Sequence, residues 1–293
     1  MLSILIPVYN YDISQLLQKI HTEVISLNIP FEIIVIDDKS EKSFLKKNKT
    51  QAELLNCKFI ENKVNLGRTQ TRKKLAEEAR YQSLLFLDSD TLPVSDNFIA
   101  NYIKVMDKAQ VILGGIAYKT EPKDPNTSLR LKYGIERESK PAQVRSLNPY
   151  GNVLSANLLI DKQVFLENNF SKEANLYGLD IYFAYNLYKN HTPLLHIDNP
   201  VYHIGLESNE VFFKKSLNAV KSRKDILVNK EGIENINSLL KHYKKLKKYG
   251  LKPLVSLGFK AAEPVLKRKI LNDNPNLFCL DLYRLGYICS LKD

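Results

Sequence analysis

The sequence predicts an α/β fold: a Rossmann-like, mostly parallel sheet flanked by helices, continued by a C-terminal helical extension. Three observations carry this. Short, nearly all-apolar runs rich in β-branched residues recur through the first 117 residues, as strands covered on both faces require. Segments with apolar residues at helical spacing alternate with them. From about Glu207 onward strand signals thin out and the pattern becomes helical.

Each element has its own signal. Leu2–Pro7 is a short apolar run closed by proline, hence a buried strand. Ser14 stands where it can cap a helix with apolar positions Leu16, Leu17, Ile20, Val24 and Leu27, and Pro30 follows it. Phe31–Asp37 (FEIIVID) is a second buried strand, and a polar, lysine-rich segment runs on to about Asn56. Cys57–Glu61 reads as a strand, Arg68–Arg80 as a helix with Leu75, Ala76 and Ala79 inward, and Ser83–Leu87 as another buried strand. Asp96 can cap a helix through Phe98, Ile99, Tyr102, Ile103 and Met106, and Gln110–Ala117 is a strand. The alternation argues for a doubly wound parallel sheet. Residues 118–150 carry Pro122, Pro125, Pro141 and Pro149 among many charges, and read as a long, partly mobile excursion of the kind that covers a site. Val153–Ile160 returns as a strand, Leu179–Tyr188 as a helix, and Leu194–Ile197 and Val201–His203 as short strands.

Composition sets bounds. Of 293 residues 44% are hydrophobic and 26% charged, enough apolar material for a full core without disulfide staples. Cys57, Cys279 and Cys289 are odd in number and fit no zinc spacing, so reduced thiols and a cytoplasmic location are expected. MLSILIPVYN lacks a basic n-region and is broken at Pro7, so no secretory signal is expected, and no run approaches the length of a membrane span. Residues 221–270 hold 14 Lys or Arg against 4 Asp or Glu, which accounts for nearly all of the net charge of +11. Such a block suits plain solvent, or an anionic membrane surface met peripherally; nucleic acid is not expected.

In an open parallel sheet, ligands bind beyond the carboxyl ends of the strands. Asp37-Asp38 ends one strand and Asp88-Ser89-Asp90 ends another. Four carboxylates on one rim repel unless a cation or a donor-rich ligand balances them, and a divalent metal with oxygen ligands does so most simply. If Asp88-Ser89-Asp90 is extended, its two acids point the same way.

SILIPVYN, EIIVIDDKS, NKVNLGRTQTRKKL and LLFLDSDTLP occur in this order. Together they resemble the family-2 glycosyltransferases of the GT-A fold, over about residues 1–205. The resemblance implies a catalytic domain over 1–205, with a nucleotide-binding half at about 1–117 and an acceptor half at 118–205, then a basic helical extension over 206–293. It implies an inverting transfer from a nucleotide-sugar, with UDP favoured, to a hydroxyl of a glycan or lipid-linked acceptor, in polysaccharide or glycoconjugate synthesis. Pro7, Tyr9 and Asp38 would border the nucleoside, with Asp38 accepting from the ring N–H of the base and Asp37 assisting or capping the turn. Asn65, Gly67, Arg68 and Arg72 would lie near the nucleotide, with Ser89 beside them. Asp88 would hold the ribose or a metal-bound water, Asp90 the metal itself, and His203 in VYHIG would be a further metal ligand or phosphate contact. The metal would be Mn²⁺ or Mg²⁺, and neutral imidazole suits Mn²⁺ better. Asn152 and Asn157 lie where the family places sugar and acceptor contacts. NLYGLDIYFAYNLYKN resembles the family's acceptor segment, which makes Asp180 the general base. It departs from the pattern at Leu179, Tyr182 and Asn186, where the family has two acids and an arginine. Two other readings stay open: a sugar nucleotidyltransferase, disfavoured because no glycine precedes Gly67, and a nucleotide-binding or membrane-associated module without catalysis. The missing Gly-x-Gly-x-x-Gly excludes a dinucleotide site.

Overall fold

The computed structural model describes residues 1–120, 124–170 and 177–292. Its contacts divide the chain into two compact units. The first comprises Met1–Lys119, Glu138–Asn175 and Asn186–Gly205; the second comprises Thr120–Arg137, Leu176–Tyr185 and Leu206–Asp293. Two stretches expected with the sheet, 120–137 and 176–185, therefore group with the C-terminal helices.

The first unit is built on seven strands: β1 (Leu2–Val8), β2 (Phe31–Asp37), β3 (Lys58–Glu61), β4 (Ser83–Leu87), β6 (Val111–Leu113), β8 (Asn157–Asp161) and β9 (Leu194–His196), in the order β3-β2-β1-β4-β8-β6-β9. The pairs β1·β2, β1·β4, β2·β3 and β6·β9 are parallel, while β8 runs antiparallel between β4 and β6. β1 is buried at all seven positions, which explains its unbroken apolar run. Val8 pairs with Asp37 and Asp37 with Glu61, so three strands end level and present Asp37-Asp38 at one rim. A three-stranded sheet, β5-β10-β7, is formed by β5 (Thr91–Pro93), β7 (Ile116–Ala117) and β10 (Val201–His203).

The helices around the sheet mostly follow the sequence. α1 (Ser14–Ser26) buries Leu16, Leu17, Ile20 and Val24. Ser14 is not its cap: Asp12 Oδ1 accepts from both the amide and the hydroxyl of Ser14. The lysine-rich segment is a helix, α2 (Lys42–Leu54), held by Asn48, whose side chain bonds the Ile13 amide and the Tyr11 carbonyl. α3 (Arg68–Glu78) packs Leu75 and Ala76 inward. α4 (Phe98–Ile103) takes its N-terminal hydrogen bonds from Glu23 of α1, which accepts from the amides of Ile99 and Ala100; Asp96 pairs with Lys19 instead. The strand expected over Gln110–Ala117 breaks at Gly114-Gly115. A Cβ on Gly114 would lie 2.4 Å from Asn157 and Tyr102 side-chain atoms, and Gly115 has φ +88°. β8 starts at Asn157 rather than Val153.

The 118–150 excursion contains two short helices, α5 (Ser128–Tyr133) and α6 (Ala142–Ser146); Pro122 lies outside the described residues. In α6 the buried Arg145 donates to the carbonyls of Leu113 and Ile197 and to His196 Nδ1 (2.8 Å), and His196 Nε2 donates to Pro149 O. Burial, aided by the Arg145 charge and opposed by the Pro149 hydrogen bond, lowers the His196 pKa to about 4.

α7 (Lys162–Asn168) follows β8, with Asp161 capping it through the Gln163 and Val164 amides, and α8 (Asp180–Lys189) comes next in the chain. The second unit is helical: α9 (Asn209–Leu227), α10 (Ser238–Lys248), α11 (Lys252–Ile270) and α12 (Leu277–Ser290). Phe212, Phe213, Phe259, Ile270, Leu277, Leu280 and Tyr283 form its core with Leu129. The three cysteines are free thiols.

Candidate active site

Three loops of the first unit meet at the rim of the sheet. The first follows β1: Pro7 pairs with Ile36 in the strand, Tyr9 is exposed, and Asn10, at φ +48°, ties this loop to the second by bonding Ser40 Oγ and the Glu41 amide. The second follows β2. Asp37 Oδ1 caps the Ser40 amide (2.8 Å), while its buried Oδ2 has no hydrogen-bond partner.

Asp38, expected to border the nucleoside, bonds the chain itself. Its Oδ1 accepts from Asn62 Nδ2 (2.9 Å) and the Leu66 amide (2.8 Å), its Oδ2 accepts from the Gly67 amide (2.8 Å), and its carbonyl accepts from Asn65 Nδ2. The carboxylate is thus used by the chain itself, as a clamp on the 62–67 loop. Asn65 takes part in this clamp through its side-chain amide. Gly67 closes the loop at φ +79°, a conformation costly for any residue with a Cβ, and α3 starts immediately after it. Of the two acids, Asp37 keeps the buried oxygen that a donor N–H could satisfy.

The first turns of α3 aim Arg68 and Arg72 at the end of β4. Arg68 Nη2 donates to Asp88 Oδ2 (2.6 Å) and Arg72 Nη2 to Asp88 Oδ1 (2.5 Å). Arg72 is buried and also donates to Ser155 Oγ and Ser155 O. Asp88-Ser89-Asp90 is a turn rather than an extended stretch: Thr91 bonds the Asp88 carbonyl through both its amide and its hydroxyl. The two acids therefore have different neighbours, and Ser89 sits half-buried between them.

Asp90 Oδ2 lies 3.3 Å from His203 Nε2. The small sheet sets this distance, because Thr91 pairs with His203 across β5·β10 and the Ile204 amide donates to Asp90 O. Gly205 lies against the carboxylate, where a Cβ would come within 2.7 Å of Asp90 Oδ2. Tyr118 stacks on the His203 ring at 5.6 Å and donates its hydroxyl to Glu138. Burial raises the Asp90 pKa; His203 opposes this, Asp88 adds to it, and Arg68 opposes it. Burial, Asp90 and Asp12 raise that of Tyr11.

The expected metal set was Asp88, Asp90 and His203. Among the described residues no three acids, histidines or cysteines form a metal-binding group. Asp88 drops out because both its oxygens face guanidinium groups. Asp90 and His203 do fit one cation together: ligands about 2.1 Å from a metal stand about 3 Å apart at neighbouring corners. His203 Nδ1 is buried without a hydrogen-bond partner.

Asn157 is corrected outright. It is fully buried, accepts from Tyr102 Oη (2.6 Å) and donates to Gly115 O and Asn199 O (2.9 Å each), leaving nothing for a nucleotide. Asn152 bonds the carbonyls of Arg145 and Asn148.

Asp180 belongs to the second unit, as the first residue of α8. The turn before it needs Gly178, at φ +84°, whose hypothetical Cβ would sit 2.9 Å from that of Ala219. Leu179, in place of the family's acid, is buried. Burial and the neighbouring Arg284 hold the Arg223 guanidinium below its ordinary pKa, against opposing pulls from Tyr133, Asp180 and Tyr177. Asn62, Ser155, Gly205 and Arg223 escaped the sequence reading; Asn62 shares the NKVNLG motif and Gly205 closes VYHIG, while Ser155 and Arg223 carry no local signal.

The mostly parallel seven-stranded sheet with acids at its strand ends agrees with the GT-A fold that the sequence resemblance implied. The family model for glycosyl transferase family 2 matches residues 3–161, more than half of the chain, and the chain belongs to that family. Similar solved structures include S. aureus TarS 1–349, at TM-score 0.53 and 17% identity over 99% of this chain and 90% of that one. The mannosyltransferase PcManGT from Pyrobaculum calidifontis, in complex with GDP-Man and Mn²⁺, gives TM-score 0.61 and 12% identity over 98% and 85%. Glucosyl-3-phosphoglycerate synthase from Mycobacterium tuberculosis, in complex with Mn²⁺, UDP and phosphoglyceric acid, gives 0.54 and 13% over 79% and 80%. At these identities the structural likeness establishes the fold alone. No curated protein matches the chain.

Proposed function

We propose that the protein transfers a sugar from a nucleotide-sugar, with UDP as the preferred carrier, to an acceptor hydroxyl, with inversion at the anomeric carbon. The observation that carries this is the pairing of Asp90 with His203 beside the Arg68–Asp88–Arg72 group. The pair would offer two ligands to a divalent cation, and α3 sets two guanidinium groups beside them at the end of β4. That TarS has been crystallised with UDP-GlcNAc, and the mycobacterial synthase with UDP and Mn²⁺ or Mg²⁺, supports a UDP-sugar and a divalent metal here.

In this reading Pro7 and Tyr9 border the nucleoside, and Asp37 Oδ2 accepts the ring N–H of the base. Asp38 acts one step removed, by fixing the loop from Asn65 to Gly67. Arg72 and Arg68 hold Asp88 for the ribose and add positive charge near the diphosphate, with Ser89 between the acids. Asp90 and His203 would hold Mn²⁺ or Mg²⁺, which when bound neutralises charge on the departing diphosphate. Asp180 takes the proton of the acceptor hydroxyl. No covalent intermediate is required. The acceptor is a glycan or a lipid-linked precursor in polysaccharide or glycoconjugate synthesis. An enzyme working from the cytoplasmic face of an anionic membrane suits the lipid-linked case.

The test is a mass-spectrometric screen of nucleotide-sugars with and without Mn²⁺. Release of sugar from one UDP-sugar, only with metal, is the expected result. Asp180→Asn should keep UDP affinity and lose transfer at least 100-fold. Binding of UDP without turnover of any donor would favour the module without catalysis.

A further inference from the structure

In α10 the helical spacing of Leu239, Leu240, Tyr243 and Leu246, with lysines around them, is a pattern that would suit an interfacial helix. The structure removes that face from solvent: Leu240 and Tyr243 are fully buried, and Leu239 and Leu246 half-buried. Among the described residues no helix is long and apolar enough to cross a membrane.

The next helix presents what α10 does not. α11 turns Phe259 and Ile270 into the core, with Phe259 edge-on to Tyr283 at 4.9 Å. On the opposite side Leu254, Leu257, Gly258, Ala261, Pro264 and Val265 are exposed. Their spacing places them on one stripe of the helix. Leu254 is 67% exposed, Leu257 68% and Val265 50%, values that set this stripe apart from the scattered apolar side chains any surface carries. A side chain added at Gly258 would meet nothing within 4 Å.

Charge decides what covers the stripe. Lys252, Lys260, Lys267, Arg268 and Lys269 lie on the same helix, and exposed Lys247 and Lys248 end the helix before it. The one acid on α11, Glu263, accepts from Tyr283 Oη at 2.7 Å. A second copy would bring the same positive field and be repelled, whereas an anionic bilayer offers both apolar depth and negative headgroups.

We propose that the Leu254–Leu257–Ala261–Val265 face of α11 docks on an anionic membrane surface, with the surrounding lysines against the headgroups. This deepens the lipid-linked acceptor reading, but its test needs neither donor nor acceptor, so either can fail alone. Full-length protein is sedimented with vesicles of phosphatidylglycerol and phosphatidylcholine, and with phosphatidylcholine alone. Binding is expected only to the anionic vesicles, and should weaken as salt is raised. Leu254→Gln with Leu257→Gln should lower partitioning about tenfold or more, since each leucine buries apolar area. Leu54→Gln, at an exposed leucine of α2, should bind like wild type. Equal melting temperatures would show that the double variant is folded. The proposal is overturned if wild type stays in the supernatant, if the double variant sediments like wild type, or if ultracentrifugation finds a dimer that the double variant loses.

Discussion

Replacing Asp38 by asparagine tests the clamp with almost no change in volume. The carboxylate accepts three hydrogen bonds, two of them from the backbone of the 62–67 loop. An amide has one acceptor oxygen, so at least one N–H would face a donor NH₂ in a buried place. Losing a bond to a charged acceptor costs about 1.5–3 kcal/mol, and an unsatisfied buried donor about 1–3 kcal/mol. Relaxation of the loop recovers part of this, so destabilisation of about 2–4 kcal/mol is expected. UDP affinity should fall as well, because the loop delivers Gly67 and the start of α3. Urea unfolding gives the first quantity and titration calorimetry with UDP and Mn²⁺ the second. A variant within about 0.5 kcal/mol of wild type, with unchanged UDP affinity, would refute the clamp.

Other perturbations probe separate parts. Arg72→Lys keeps the charge but replaces the planar two-nitrogen fork that spans Asp88 and Ser155 with a single nitrogen on a shorter side chain; UDP binding should weaken about tenfold or more, measured by calorimetry. An unchanged affinity would place Arg72 outside the donor site. The buried His196 should make stability acid-sensitive. Between about pH 4 and 6.5 the unfolded chain binds the proton and the folded chain does not, so stability rises with pH through that window. The full effect is about 3 kcal/mol, and melts of His196→Gln should show a flatter pH profile than wild type; identical slopes would contradict it. Asp90 must be ionised to hold a metal, and its pKa is raised, chiefly by burial. Metal-dependent UDP binding should therefore fade on acidification at a higher pH than an ordinary carboxylate would give, and a pH series of the same calorimetry checks this.

Much of this architecture was legible because buried parallel strands advertise themselves. β1, β2 and β4 lie where apolar runs end in proline or aspartate. α2 was missed because it buries only Asn48 and Ala52, so its sequence shows no apolar stripe. β5, three residues long, was missed, and β7, two residues long, was read as the end of one strand over Gln110–Ala117; their partner β10 was visible. At the site, the rim acids were readable from strand ends, but not their division of labour. Asp38 becomes a clamp, and Asp88 and Asp90 part company, through contacts 16 to 113 residues away in the chain. Asn157 shows the limit most plainly: a motif position consumed by Tyr102, Gly115 and Asn199, none of them near it in sequence.

Mn²⁺ binding followed by electron paramagnetic resonance, in the presence of UDP, bears on the Asp90–His203 pair most directly. Wild type should take up one ion per chain when UDP is present. Asp90→Asn should abolish that uptake while UDP alone still binds, and His203→Ala should weaken it. Undiminished uptake by Asp90→Asn would mean that the cation sits elsewhere.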